Sequence, residues 1–222
     1  MSSTNRSKKR YNHKEDYYVT PQWCVREFLR AWEDDYCKVS NVAPKHALVL
    51  DPCAGGDATN PMTYPTVLTE WGFNPVSMDL REDSPCQFPG ENFLTVDLMD
   101  LKFDLIITNP PYNLAVPMIE RALELTKPMG WVVMLLRVNF LGAQKRGKWW
   151  QSHMPESMYT HSKRPCFYPD NWREVMPWLE KKGTDSTEYA HFVWQKGNTG
   201  NPYRGFVIPH VKGVSDAPGP VG

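Results

Sequence analysis

Short apolar runs that close on a polar side chain recur along this chain. "HALVLD" ends on Asp51, "NPVSMD" on Asp79, "NFLTVD" on Asp97 and "FDLIITN" on Asn109, and "GWVVMLLRV" is a fifth, longer run. Runs of this length bounded by turn residues predict strands. Between them the period changes. After Thr20-Pro21, a hydroxyl N-cap followed by proline at the first helical position, Trp23, Val25, Phe28, Leu29 and Trp32 recur at helical spacing. A second helix is predicted around Thr63–Trp71, ended by Gly72, and a third near Val116–Leu125. Strands alternating with helices predict a parallel sheet with helices on both faces. Two later extended stretches, Met158–Cys166 and Tyr189–Gln195, are separated by a charged helix and a "KGTDS" turn. They are expected to form an edge pair.

Composition narrows this picture. A chain of 222 residues suffices for one α/β domain and is short for two. Residues 1–14 read as a disordered basic arm, 15–212 as the domain, and 213–222 as a flexible tail. Lys plus Arg (25) balances Asp plus Glu (25), so any nucleic-acid surface must be a local patch. The five cysteines (Cys24, Cys37, Cys53, Cys86, Cys166) are scattered and include no CxxC pair. Reduced thiols in a cytoplasm-like compartment are expected. The histidines show no zinc-ligand spacing with these cysteines, so no metal site is expected. The basic N-terminus lacks a signal peptide's apolar core, and no apolar run approaches transmembrane length. A soluble chain without membrane contact, monomeric or weakly dimeric, is expected.

The strand ends carry the candidate chemistry. In an open parallel sheet, ligands bind beyond the carboxyl ends of the strands. Four neighbouring strands span roughly 15 Å, the reach of a nucleoside carrying an amino-acid tail. Gly55 and Gly56 in "LDPCAGGDATN" permit a tight turn and close backbone approach to a ligand. Asp79 is either a loop acid or an acceptor for both hydroxyls of a ribose. Asp97 is either a cap or an acceptor for an exocyclic amine.

The stretch Asn109-Pro110-Pro111-Tyr112 is the most informative. The Asn109 amide oxygen and the Pro110 carbonyl are two acceptors, and the prolines fix their directions. An exocyclic NH2 presents two donors, so such a loop can grip one nitrogen and aim its lone pair. Tyr112 offers a ring face for a planar base. None of these groups is a strong base or a covalent nucleophile. The set suits transfer to an amine nitrogen, driven by orientation and by dipoles matched to developing charge. The same four residues also fit a Pro-Pro turn with a packed tyrosine.

These motifs together resemble the S-adenosylmethionine-dependent amino-methyltransferases that act on adenine N6 in DNA. "NPPY" after a fourth strand and "DPCAGG" after the first carry the resemblance, as does "DYYVTPQWCVREFL" ahead of them, which resembles the family's cofactor-tail motif. "SKRPCFYPD" and "GTDSTEYAHFVWQKG" resemble the last strands of small, phage-type members. The likeness covers roughly residues 16–196. It implies a single Rossmann-like domain with a mostly parallel seven-stranded sheet and an antiparallel edge strand. It implies S-adenosyl-L-methionine as cofactor and DNA as partner, with RNA kept open, in the cytoplasm or, for a phage protein, the host's. Tyr18, Thr20 and Pro21 would lie near the methionine part of the cofactor, with Asp51, Pro52, Cys53, Ala54 and Gly55. Asp79 and its neighbour Leu80 would meet the ribose side and Asp97 the adenine. Asn109, Pro110, Pro111 and Tyr112 would hold the target base, with Asn109 also beside the cofactor.

Two departures stand out. The family's glycine loop commonly ends on a further glycine, where this chain has Asp57, and no separate target-recognition domain is evident. Arg137, Lys145, Arg146, Lys148, Lys163 and Arg164 are concentrated against the single acid Glu156. This aromatic-flanked patch is the candidate DNA face or else a solvated loop. Competing readings are a protein-glutamine N5 methyltransferase, an RNA adenine methyltransferase and a cytosine-N4 enzyme, for which Ser is more usual at position 109. A nucleic-acid-binding subunit with a decayed methyltransferase fold is the non-enzymatic alternative.

Overall fold

The computed structural model describes residues 19–36, 46–98, 100–168, 187–198 and 203–213. The expected basic arm, Tyr18, Cys37, the charged helix before the "KGTDS" turn and nearly all of the tail lie outside these residues.

Eight strands form one sheet: β1 (Val49–Asp51), β2 (Pro75–Asp79), β3 (Phe88–Pro89), β4 (Phe103–Thr108), β5 (Thr126–Arg137), β6 (Ser157–His161), β7 (Tyr189–Gln195) and β8 (Arg204–Ile208). Their order is β3-β2-β1-β4-β5-β7-β6-β8. Strands β3, β2, β1, β4 and β5 run parallel, with Leu50 opposite both Val76 and Ile106. Strand β7 is antiparallel to β5 and to β6, while β8 is parallel to β6. Because β7 reverses direction once on each side, β6 and β8 point the same way as β4 and β5. The carboxyl ends of β2, β1, β4, β5, β6 and β8 therefore share one edge of the sheet, together with the start of β7.

Among the described residues, four α-helices flank the sheet: α1 (Gln22–Tyr36), α2 (Thr63–Glu70), α3 (Ala115–Leu125) and α4 (Gly147–His153). The strand residues alternate between two cores. Val49, Leu105, Ile107 and Val133 pack with Val25, Phe28, Leu29 and Trp32 of α1 and Val67 and Leu68 of α2. Leu50, Ile106, Val132 and Met134 pack on the other face with Met118, Ile119 and Leu125 of α3 and Trp150 of α4. A strand buried on both faces reads as a continuous apolar run, which is why "LIIT" and "WVVMLL" show no alternation. Helix α2 ends as the sequence predicts. Gly72 takes φ 81° and its amide bonds Thr69, while the Phe73 amide reaches back to Leu68.

Four expectations are corrected. "NFLTVD" is no strand. The Asn92 side chain accepts the Leu94 amide at 3.0 Å, and its carbonyl accepts the Val96 amide at 2.8 Å. This local bonding by an asparagine competes with a ladder and folds the segment into turns. The sheet has eight strands, because the two-residue β3 and the half-exposed β8 carry too little pattern to be seen in advance. The expected edge pair does form, but β7 sits inside the sheet and β8 takes the edge. Helix α1 begins at Gln22, and the Thr20 hydroxyl serves another partner. No helix among the described residues is long and apolar enough to cross a membrane.

Candidate functional site

Three of the four polar strand ends meet at the shared edge: Asp79 on β2, Asp51 on β1 and Asn109 after β4. Asp97 comes instead from the turn-rich segment and is exposed.

The glycine loop between β1 and α2 is tied down from β2. Gly55 and Gly56 take φ 64° and 78°, the left-handed region that glycine tolerates. Asp79 accepts the Gly55 amide at 2.7 Å on one oxygen and the Arg81 amide at 2.9 Å on the other. Ser84 donates to the Gly55 carbonyl at 2.6 Å, and the Arg81 guanidinium donates to the Gly56 carbonyl. A Cβ on Gly56 would sit 2.7 Å from Met62 Cγ, so no side chain fits there. Asp57 closes the loop by another route. Its carboxylate accepts the Thr59 and Asn60 amides at 2.7 and 2.8 Å. Burial raises the Asp57 pKa, yet these bonds from Thr59 and Asn60 hold it below the ordinary carboxylate value. Arg81 and Ser84, in "LREDSP", were legible only as a charged loop.

Asp51 is fully buried beneath this loop. Oδ1 accepts the Cys53 amide at 3.2 Å, and Oδ2 has no partner at hydrogen-bonding distance. Burial pushes its pKa up to about 7. The Thr108 hydroxyl, whose pull is felt without a formed bond, and the Cys53 amide oppose this, while the Asp79 carboxylate adds to it. A buried acid poised near neutrality awaits a cation or a proton. Pro52 and Ala54 are buried, Cys53 half-buried and Leu80 exposed. Burial, then the Asp51 and Asp79 charges, push the Cys53 thiol well up, so it is no nucleophile.

Asn109 is anchored by its donor side. Nδ2 donates to Thr20 Oγ1 at 3.0 Å, and the Thr20 carbonyl accepts the Thr63 hydroxyl at 2.6 Å. The amide is thereby fixed so that Oδ1 faces away from Thr20, buried and with no partner. Next to it, the Pro111 carbonyl is taken by the Leu114 amide at 2.9 Å, a turn that leaves the Pro110 carbonyl out. Tyr112 is half-buried, its ring 6.0 Å from that of Tyr189 at the start of β7. The Arg137 guanidinium lies 5.1 Å from the Tyr112 ring centre. Arg137, the last residue of β5, thus lies against the tyrosine of NPPY.

The remaining basic residues divide. Arg146 donates to the Phe140 and Gly142 carbonyls at 2.9 and 2.6 Å and lies over the Phe140 ring, so it closes its own turn. Arg164 pairs with Glu188 at 2.7 Å, and Lys163 lies over Trp23 and beside His210. Lys145 and Lys148 are exposed and make no ion pair among the described residues. Arg137 ends β5, and the other five follow β5 or β6, strands that end at the site's edge.

No family model and no curated protein matches this chain. Solved structures do. A candidate class I S-adenosylmethionine-dependent methyltransferase of Listeria monocytogenes aligns over 90% of this chain and 68% of its own, with TM-score 0.56 and 14% identity. The type IIG restriction endonuclease BpuSI aligns over 83% of this chain and 26% of its own, at TM-score 0.54 and 12% identity. A candidate hemolysin of Lactococcus lactis aligns over 89% and 96%, at TM-score 0.51 and 10% identity. The chain has a methyltransferase-like α/β fold. It spans about a quarter of the restriction enzyme.

Proposed function

We propose that this protein is an S-adenosylmethionine-dependent DNA methyltransferase acting on the exocyclic N6 of adenine. The observation that carries the reading is the buried, unpaired Oδ1 of Asn109, turned away from Thr20 by the Nδ2 bond and followed by Pro110 and Tyr112.

The residues present fit the cofactor. Asp51 offers a buried, unpaired carboxylate oxygen for the ammonium of an amino-acid tail, and the loop at Gly56 leaves no room for a side chain. Asp79, whose two oxygens each accept one backbone amide, would use remaining lone pairs for the ribose hydroxyls, with exposed Leu80 beside it for an apolar ring. When bound, the cofactor supplies an electrophilic methyl group on a sulfonium. Asn109 Oδ1 and the Pro110 carbonyl would accept the two N6 protons and point the nitrogen lone pair at that carbon. As the nitrogen–methyl bond formed and the carbon–sulfur bond broke to leave a neutral thioether, positive charge would grow on N6, where the two acceptor dipoles would point, and one N6 proton would then pass to solvent. Tyr112 would stack on the base, flipped out because N6 is inaccessible for this chemistry inside a duplex. Lys145 and Lys148 would meet phosphates, and Asp97 remains a candidate for the cofactor adenine.

Incubation with labelled S-adenosylmethionine and DNA, RNA or protein, followed by nucleoside and amino-acid analysis, tests this reading. Label in N6-methyladenine of DNA is expected. Label confined to RNA, cytosine or protein glutamine would reassign the substrate, and no transfer to any of them would leave a binding fold.

A further inference from the structure

Behind the cofactor-tail segment, three side chains far apart in sequence converge in a sealed interior. Cys24 of α1, His161 of β6 and His191 of β7 are at most 2% exposed. Their donor atoms lie within 4.8 Å of one another. His161 Nε2 is 3.2 Å from Cys24 Sγ and 2.9 Å from His191 Nδ1. We propose that these three residues bind a single borderline-soft transition-metal ion, zinc(II) or copper(I).

The hydrogen-bond inventory motivates this. Each far ring nitrogen faces an outer group: Glu27 Oε2 lies 3.8 Å from His161 Nδ1, and the Tyr64 hydroxyl lies 3.1 Å from His191 Nε2. Glu27 also sets its negative charge against His210 Nδ1, 2.6 Å from Oε1. That charge favours the proton of His161 on Nδ1, leaving a lone pair on Nε2. A ring nitrogen has one in-plane site, yet two neighbours compete for this one. If His191 donates to it, the Cys24 thiol is left over; if Cys24 donates, His191 is. One proton satisfies two of the three atoms. One metal ion satisfies all three.

The surroundings match such a site. Metal-bound histidines commonly donate their second N–H to a carboxylate or another oxygen, as Glu27 and Tyr64 allow. Phe28 stacks on the His191 ring at 4.1 Å and locks its orientation. Burial lowers the pKa of both histidines, so both are neutral imidazoles, the form that ligates. Burial and the Glu27 charge push the Cys24 thiol up, so binding would release its proton to solvent as the thiolate forms. Zinc bond lengths of about 2.0–2.3 Å place tetrahedral donors roughly 3.3–3.6 Å apart, a few tenths of an ångström wider than the two contacts that His161 Nε2 makes here. Soft sulfur and imidazole exclude calcium and magnesium as the intended ions. Neither sequence spacing nor any CxxC pair reveals the cluster, since its ligands come from three separate elements. The ion would pin α1 to β6 and β7, directly behind Thr20.

The test uses the full chain, stripped with chelator under reducing conditions. Zinc(II), cobalt(II), copper(I) and magnesium are titrated, and bound metal is counted after desalting. One equivalent of zinc or copper(I) is expected, cobalt should give a thiolate charge-transfer band in the near ultraviolet, and magnesium should not be retained. Zinc should raise the thermal midpoint by several degrees. The Cys24→Ser and His161→Gln variants should lose the band and the shift, whereas Cys86→Ser keeps both. If wild-type protein retains neither zinc nor copper(I), or if Cys24→Ser retains them equally, the proposal is overturned. The wild-type titration decides even where a variant does not fold, and the result is independent of methyl transfer.

Discussion

The Asn109 side chain donates from Nδ2 to Thr20 Oγ1 at 3.0 Å, joining the loop after β4 to the segment that enters α1. An amide free to rotate would present nitrogen or oxygen to a ligand. With Nδ2 engaged by Thr20, the oxygen is the atom left for a ligand. Thr20→Val keeps the shape and removes the acceptor, so the wrong orientation becomes available. A neutral hydrogen bond contributes about 1 kcal/mol, and methyl transfer should slow by roughly five- to ten-fold. Single-turnover rates on an adenine-containing duplex measure it; an unchanged rate would show that the amide is held by something else.

Much of this arrangement was legible in the sequence because strand ends are marked by abrupt changes in polarity. Asp51, Asp79 and Asn109 stand where apolar runs stop, and the parallel sheet brings them to one edge. "NFLTVD" carries the same mark and misleads, since Phe93 alone is buried while Asn92 folds a turn. Pattern counts apolar residues; it does not register an asparagine side chain bonding two residues onward. The loop braces Arg81 and Ser84 and the cluster of Cys24, His161 and His191 were hidden for another reason. Their partners are 25 to 137 residues away, and only the folded chain joins them.

Asp79 braces the glycine loop and, on the proposed reading, also holds the cofactor ribose, and its variants should show both. Asp79→Ala removes acceptors for the Gly55 and Arg81 amides and for a ribose. Cofactor affinity should fall roughly ten-fold or more, the scale of removing hydrogen bonds to a charged group. The thermal midpoint should fall as well, because the loop loses its brace. Calorimetry and a melting curve separate the two. Unchanged affinity would remove Asp79 from the cofactor site.

Asp51 predicts a pH dependence. Its folded pKa, raised to about 7, exceeds its unfolded value, so the native state holds the extra proton between about pH 4 and pH 7. The ligand-free protein should therefore lose stability as pH rises through that window. Asp51→Asn should abolish this slope. A bound cation should favour the carboxylate, so cofactor affinity should rise with pH toward 7. Denaturant midpoints and calorimetry at several pH values test both signs, and a stability slope that survives in Asp51→Asn would locate the titration elsewhere.

The basic patch also divides experimentally. Replacing Lys145 and Lys148 with Ala should weaken DNA binding and lower the salt slope by about 0.9 for each phosphate no longer neutralised, with cofactor affinity unchanged. Arg146→Ala should instead destabilise the turn it closes, since its guanidinium holds two carbonyls. An unaltered salt slope in the double variant would move the DNA face, with the segment around Arg6–Arg10 next in line.

The central claim is that the unpaired Oδ1 of Asn109 accepts from the target amine. Asn109→Ala deletes that acceptor and leaves Asp51, Asp79 and the glycine loop in place. Its acceptor is needed most in the transition state, so the loss should fall on the chemical step. The most direct measurement is single-turnover transfer of labelled methyl to an adenine-containing duplex, with cofactor binding followed in parallel by calorimetry. The account predicts a rate reduced by roughly 100-fold or more, the scale of removing one oriented transition-state partner, with cofactor affinity within a few-fold of wild type. Full-rate formation of N6-methyladenine by Asn109→Ala would contradict it.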